Sequence, residues 1–183
     1  MLPSSIPLFP LPNVVLFPNV FLPLHIFELR FCEMVTDALQ SDRIIGMVLL
    51  RPGWEQDYEG RPPVYSVGCA GLITNFEHLE DGRYNIVLRG LHKFRILNED
   101  NRRSYRLAHV DGIIEPFDDS IRQAIRRDRA HLETLVTKGL HQAASESQMP
   151  ASMPDEDLVN ALAQYLDLEP VEKQALLERD GLL

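Results

Sequence analysis

The stretch from Arg83 to Leu97, RYNIVLRGLHKFRIL, decides the fold class. Tyr84, Ile86, Leu88, Phe94 and Ile96 share one parity, while Asn85, Arg89, Lys93 and Arg95 lie on the other. A period of two is the mark of a β-strand with one apolar face. Gly90 and His92 interrupt the apolar parity, which predicts a bulge or sharp bend there. Val67 to Leu79 forms a second strand-like run, and Glu80-Asp81-Gly82 between the two runs is a hairpin-turn signal. A long hairpin therefore sits at the centre of the fold, and Tyr105 to Ile114 can supply a further strand.

Outward from the hairpin, the pattern changes several times. Ile44 to Leu50 is a continuous apolar run that stops at Pro52, as expected for a strand buried on both faces. Arg51 to Tyr65 holds Pro52, Gly53, Gly60, Pro62 and Pro63 and reads as a long loop, with Trp54 and Tyr58 on it. Phe27, Phe31, Met34/Val35 and Ala38 recur at helical spacing, predicting an amphipathic helix from Ile26 to about Leu39. The opening residues predict short edge or bulged strands, Ile6–Leu11 and Val20–Leu24, around a loop with an apolar tip. Beyond Pro116, Phe117, Ile121, Ile125, Leu132, Val136 and Leu140 form a helical stripe, followed by a polar linker from Ala143 to Pro154. Ser152-x-x-Asp155 resembles a capping box opening a helix with Leu158, Leu162 and Leu166, and Pro170 suits the first turn of a last helix. The chain divides into a β-rich part, residues 1–116, and a helical part, residues 117–183.

At 183 residues, the chain can bury a sizeable core without disulfides or a structural metal. Its two cysteines, Cys32 and Cys69, make neither a disulfide framework nor a four-ligand zinc site. The net charge of −9 disfavours a general nucleic-acid or anionic-membrane binder. Residues 146–183 hold nine acids and two bases, so most of that charge is in the tail. The uncharged opening segment carries prolines at 3, 7, 10, 12, 18 and 23 and its first basic residue is Arg30, which fits neither a membrane span nor a signal peptide. A cytoplasmic protein with no membrane association is expected.

The search for chemistry returns no phosphate-binding G-x-x-x-x-G-K-[ST], no G-x-S-x-G elbow and no H-E-x-x-H zinc helix. Three constellations have both a functional and a structural reading. Cys32 or Cys69 beside a histidine would make a thiolate nucleophile, but each falls in an apolar context where cysteine packs. Asp155-Glu156-Asp157 would hold a cation, but acids in a first helical turn also favour the macrodipole. Arg122, Arg126, Arg127 and Arg129 would bind phosphate, but Asp118, Asp119, Asp128 and Glu133 interleave with them as on a salt-bridged face. The structural reading is preferred in each case, so no catalytic residue, cofactor or metal is expected.

Three blocks of residues carry a family resemblance. Ile6-Pro-Leu-Phe-Pro-Leu-Pro-Asn-Val-Val-Leu-Phe-Pro18, continuing to Leu22-Pro-Leu-His-Ile-Phe-Glu28, resembles the start of the N-terminal, substrate-binding domain of Lon proteases, especially the stand-alone bacterial members. Tyr65–Gly68, Asp81–Ile86 and Leu88–Ile96 are similar to that domain's central hairpin, and Glu172–Glu178 to its helical end. The resemblance implies an α+β fold, a β-rich PUA-like pseudo-barrel with one amphipathic helix followed by a C-terminal helical bundle. It also implies a non-enzymatic, proteolysis-related module without the ATPase and protease parts, which binds exposed apolar or unfolded polypeptide segments. Phe17, Phe21, Trp54 and Tyr58 are the candidate contact residues. The alternative is an RNA-binding PUA-like domain using Arg102, Arg103 and Arg106, and a third reading is a small hydrolase using Cys32 or Cys69. The partner's identity and the oligomeric state stay open.

Overall fold

The computed structural model describes residues 2–113, 123, 126–131, 134 and 154–179. In chain order the elements are β1 (Ser5–Leu11), β2 (Phe21–Ile26), α1 (Leu29–Leu39), β3 (Ile44–Leu49), a 3₁₀ turn (Trp54–Asp57), β4 (Val67–His78), β5 (Tyr84–Asp100), β6 (Arg106–Gly112), α2 (Asp155–Tyr165) and α3 (Pro170–Glu178). The stripe expected over Phe117–Leu140, the boundary at 116/117 and the linker up to residue 153 lie outside the described residues, apart from isolated positions.

The hairpin is β4 and β5, turning at Gly82, whose φ of 84° lies in the left-handed region open to glycine at no steric cost. The strands form one six-stranded sheet in the order β2-β5-β4-β3-β1-β6, and β6 pairs again with β5. The pairings thus run in a circuit through β1, β3, β4, β5 and β6, with β2 outside it on β5. The contacts that complete the circuit are short: Ser5–Leu8 with Arg106–His109, and Phe94–Asp100 with Leu107–Gly112. The sheet curls on itself as a pseudo-barrel without closing into a uniform cylinder.

Alternation along the strands feeds two separate clusters. Phe9, Ile45, Met47, Leu49, Val67 and Cys69 join α1 in the main core, where Phe31, Met34, Val35 and Ala38 are buried. Their neighbours on the opposite face, Ile6, Leu8, Val48 and Ala70, form a smaller cluster with Phe94, Ala108 and Val110. β3 is consequently buried on both sides, as its continuous apolar run predicts.

The single apolar parity expected for β5 needs correction. Gly71 pairs with Gly90 but Cys69 with Lys93, so β5 carries one extra residue there. A one-residue bulge reverses which parity faces which side. Tyr84, Ile86 and Leu88 therefore face the main core, Phe94 turns into the smaller cluster, and Lys93 takes the main-core side. A second register shift between Ile73 and Asn75 bends β4.

α1 begins later than its periodicity suggests. Ile26 is still paired with Tyr84 in β2, and Glu28 is extended (φ −74°, ψ 133°), so the helix opens at Leu29. Phe27 is left 63% exposed rather than on the apolar stripe. The expected apolar loop tip is also corrected: Val15, Leu16, Phe17 and Val20 are all buried in the main core. The loop enters against the β5 bulge, where Asn19 N–H donates to the Gly90 carbonyl at 3.0 Å and Gly90 N–H to that of Val20 at 2.9 Å. A Cβ on Gly90 would lie 2.0 Å from the Phe17 carbonyl oxygen, so the close approach requires glycine.

α2 and α3 attach the C-terminal part to this body. α2 opens at Asp155 behind Pro154, with Ser152 outside the described residues. Gln164 Oε1 accepts from Phe17 N–H at 3.2 Å, and Asp157 Oδ1 accepts from Asn19 Nδ2 at 2.8 Å, so α2 covers the loop that the first half of the chain leaves apolar. Pro170 does open α3. Beneath α3, Lys93 Nζ donates to the carbonyls of Leu177 (3.0 Å) and Arg179 (2.9 Å), a cation at the negative end of a helix. Gln174 Nε2 donates to the Val67 carbonyl at 3.0 Å.

Candidate functional site

β4 pairs with β3 only from Cys69 to Leu72, and Ile73 N–H then donates to the Arg43 carbonyl at 2.8 Å. It continues beside β5 to His78, while β2 lies on the other side of β5. A three-stranded arm, β2-β5-β4, thus extends past the circuit, and Thr74 through His78 are all exposed. On one face Pro23, Val87 and Asn75 stand side by side, as do His25, Asn85 and Glu77; on the other, Leu24, Ile86 and Phe76 do. A shallow groove of about 550 Å³ runs over these residues. Phe21 (54%) and Phe76 (49%) are half-exposed on the arm, and Phe27 and Leu29 project where β2 hands over to α1.

The polar groups of the arm are tied to each other. Asn85 Nδ2 donates to Glu77 Oε2 at 2.8 Å, and Asn85 Oδ1 lies 2.8 Å from His25 Nδ1. Arg83 reaches His25 Nε2 at 3.3 Å and forms an ion pair with Asp81 at 2.5 Å. A guanidinium only donates, so Nε2 accepts and Nδ1 carries the proton toward Asn85. Both ring nitrogens are then engaged by neighbours on the arm.

The Trp54/Tyr58 loop lies elsewhere and is pinned down. The two rings meet edge-on at 5.4 Å. Arg30 stacks on Phe31 (4.7 Å) and Tyr58 (5.3 Å), pairs with Glu28 at 3.0 Å and donates to the Tyr58 carbonyl at 3.2 Å. The Tyr58 hydroxyl donates to Glu28 Oε1; burial first, and that carboxylate second, push its phenol above the ordinary range. Arg106 holds the far end through the Pro62 carbonyl at 2.6 Å. A cavity of about 150 Å³ remains between this loop, α1 and β6, walled by Arg30, Phe31, Arg61 and Tyr105 among others. Burial, then the hydrogen bond to Asp37, pushes the Tyr105 phenol up to about 12.

Of the four residues singled out from sequence, the structure brings together Trp54 and Tyr58, places Phe21 on the arm, and buries Phe17 at 4% exposure in the main core. A ring covered by its own fold offers no contact to a ligand in this conformation. Phe76 escaped the sequence reading: in Asn75-Phe76-Glu77 it is one more alternating residue, and nothing local says that β3 has already ended beside it.

The remaining constellations are structural. Burial raises the Cys32 thiol and pushes that of Cys69 up to about 12, the reverse of what a thiolate nucleophile needs. Arg102, Arg103 and Arg106 each face a carboxylate, those of Asp100, Asp37 and Glu99, so they do not add up to a free basic patch. Asp155 accepts from Arg129 and lies 3.7 Å from Arg126, which answers both the acidic triplet and part of the arginine stripe. Among the described residues, no cluster of three or more His, Cys, Asp or Glu could hold a metal ion, and no helix is long and apolar enough to cross a membrane.

Comparison with known proteins fixes the family. The model of the ATP-dependent protease La (LON) substrate-binding domain matches residues 5–182, and the chain belongs to that family. It is 28% identical over 183 residues to Lon protease 2 of Myxococcus xanthus, covering 97% of this chain and 22% of that protein. The chain therefore spans about a fifth of the length of the curated relatives it matches. In fold it is similar to the Lon N-terminal domain protein from Xanthomonas campestris, with a TM-score of 0.69 and 24% identity over 98% of this chain and 92% of that one. It is also similar to the N-terminal domain of the Mycobacterium avium complex Lon protease, with a TM-score of 0.65 and 17% identity over 97% and 91%. The mixed α+β class expected from the sequence agrees with these folds.

Proposed function

We propose that this substrate-binding domain recognises exposed apolar or unfolded polypeptide segments, without catalysis of its own, through the aromatic surface of the arm. The observation that carries this reading is the half-exposed Phe76 in the lining of a shallow groove on the arm, with Phe21 half-exposed on the arm's opposite face and Phe27 exposed against His25. Exposed aromatic side chains beside a groove are common anchors of binding surfaces. Trp54 and Tyr58 form a second, smaller aromatic contact on the pinned loop. Thiols raised by burial and a histidine with both nitrogens engaged fit a binding role better than a hydrolytic one.

The test is a fluorescence-anisotropy titration without nucleotide, comparing a labelled, permanently unfolded polypeptide with its folded counterpart and a short single-stranded RNA. Saturable binding to the unfolded chain alone is expected. Completing the burial of one half-exposed phenylalanine is worth about 1–1.5 kcal/mol, so Phe21→Ser and Phe76→Ser should each weaken binding roughly five- to tenfold. Trp54→Ala reports on the second contact in the same way. Equal affinity for both variants and the parent would move the site off the arm, and salt-sensitive RNA binding would replace the reading altogether.

A further inference from the structure

We infer that the free edge of β4, Thr74–His78, is where a client's backbone docks, as an added β-strand, and that the preferred client is an extended apolar segment flanked by lysine or arginine. This inference rests on the polypeptide-binding reading and specifies its mode. Five consecutive exposed residues in extended conformation, paired on one side only among the described residues, present alternating N–H and C=O groups over about 17 Å, the length of an ordinary strand. Water hydrates such a row when it is free, and another extended backbone can pair with it as a unit, which is how peptide recognition by strand addition works.

Among the described residues the arm has two free edges, and they are not equivalent. The outer edge is β2, which carries Pro23 at its middle. Proline has no N–H to give to a further strand, and its presence is a common device that blunts an edge. Thr74-Asn75-Phe76-Glu77-His78 contains no proline. Phe76, on the same face as Leu24 and Ile86, gives an added strand an aromatic neighbour for its own apolar side chains.

Charge specifies the flanks. From Leu72 to Asn85 the hairpin carries Glu77, Glu80 and Asp81 against Arg83 alone, and Arg83 is taken up by Asp81. Asp42 and Arg43, next to the start of the edge, offset each other in sign. Glu77 and Glu80 form no ion pair among the described residues, and the chain as a whole carries −9. Lysine or arginine on either side of the apolar stretch complements that field, while an acidic client is repelled.

The experiment uses the full chain and a synthetic peptide of alternating valine and threonine with two lysines at each end. Two analogues are N-methylated on every second amide, one in each phase, which removes hydrogen-bond donors and leaves the side chains unchanged. The plain peptide should bind and slow amide exchange at Thr74–His78, and one of the two methylated phases should bind at least tenfold more weakly. Glu77→Lys should weaken the lysine-flanked peptide and favour a glutamate-flanked one; Phe76→Pro, which removes an outward-facing N–H while Asn75 and Glu77 keep their pairing with β5, should abolish binding of both. Because a proline there can also disturb the hairpin, the Glu77→Lys reversal and the methylated peptides keep the question open to refutation. Equal binding of all three peptides, or protection appearing on β2 rather than β4, would overturn strand addition while leaving polypeptide binding intact. If the unfolded polypeptide itself fails to bind, it is the underlying reading that falls, and strand addition with it.

Discussion

Replacing Gly46 with alanine drives a methyl carbon into the smaller cluster inside the strand circuit. An ideal Cβ at this position lies 2.8 Å from Phe94 Cζ, 2.9 Å from Ile6 Cδ1 and 3.0 Å from Leu8 Cδ2. These distances are far inside van der Waals contact, and all three neighbours are fully buried, so none can swing into solvent. The glycine is there for space rather than for backbone freedom, because its φ is not positive. Overpacking of this kind costs about 1–3 kcal/mol, offset by about 0.5–1 kcal/mol from the lower backbone entropy of alanine in the unfolded chain. A net loss of about 1–2 kcal/mol is expected, or some 2–8 °C in Tm at this chain length. Phe94→Leu, alone worth about 1.5 kcal/mol, withdraws the ring edge that the new methyl meets. The double variant should therefore be more stable than the sum of the singles by about 1 kcal/mol. Urea denaturation of the four proteins measures that coupling. Additivity within about 0.3 kcal/mol, or a gain in stability for Gly46→Ala alone, would refute both the packing of Phe94 over Gly46 and the division of β5 between two clusters.

The docking of α3 gives a second expectation. Lys93→Met keeps the length of the side chain but removes two charged hydrogen bonds to the Leu177 and Arg179 carbonyls, so α3 should lose about 1.5–3 kcal/mol of local stability. Amide exchange in α3 should quicken at least tenfold while that of β3 changes less; unchanged protection of α3 would show that Lys93 does not hold it. A third concerns acid. Arg102 holds the Asp100 carboxyl down at about 2 through its side-chain hydrogen bonds, so any contribution of this pair to folding is present above pH 4 and disappears as pH falls toward 2. Carboxyl NMR should show Asp100 returning to its ordinary range near 3.8 in Arg102→Ala, with little change in stability at neutral pH since the pair is exposed. A midpoint that stays low without Arg102 would disprove the cause.

Local rules carried the reading of the sequence a long way. Gly82 after two acids marked the turn, the run from Ile44 marked a strand buried on both faces, and Pro170 marked the start of the last helix. Each is a matter of neighbours a few residues apart. Part of the candidate surface was legible for the same reason, since an aromatic residue in a proline-bearing segment such as Phe21 belongs to an edge strand with one open side. Trp54 and Tyr58, four residues apart on a turn, were bound to lie close together.

What escaped was decided at long range. Alternation determines that Lys93 and Phe94 point to opposite sides of β5, but the extra residue beside Gly90 chooses which side is which. The apolar tip around Phe17 looks like a contact surface until Gln164 and Asp157, some 140 residues away, arrive on α2 to cover it. Phe76 looks like one more core residue until β3 stops pairing at Leu72 and leaves it uncovered. The sequence by itself determined the strands, the turns, the helical stripes and the family to which they belong, because period and turn chemistry act through adjacent residues. Only the tertiary structure decided which apolar side chains are covered, because burial depends on whichever distant segment the folded chain lays over them.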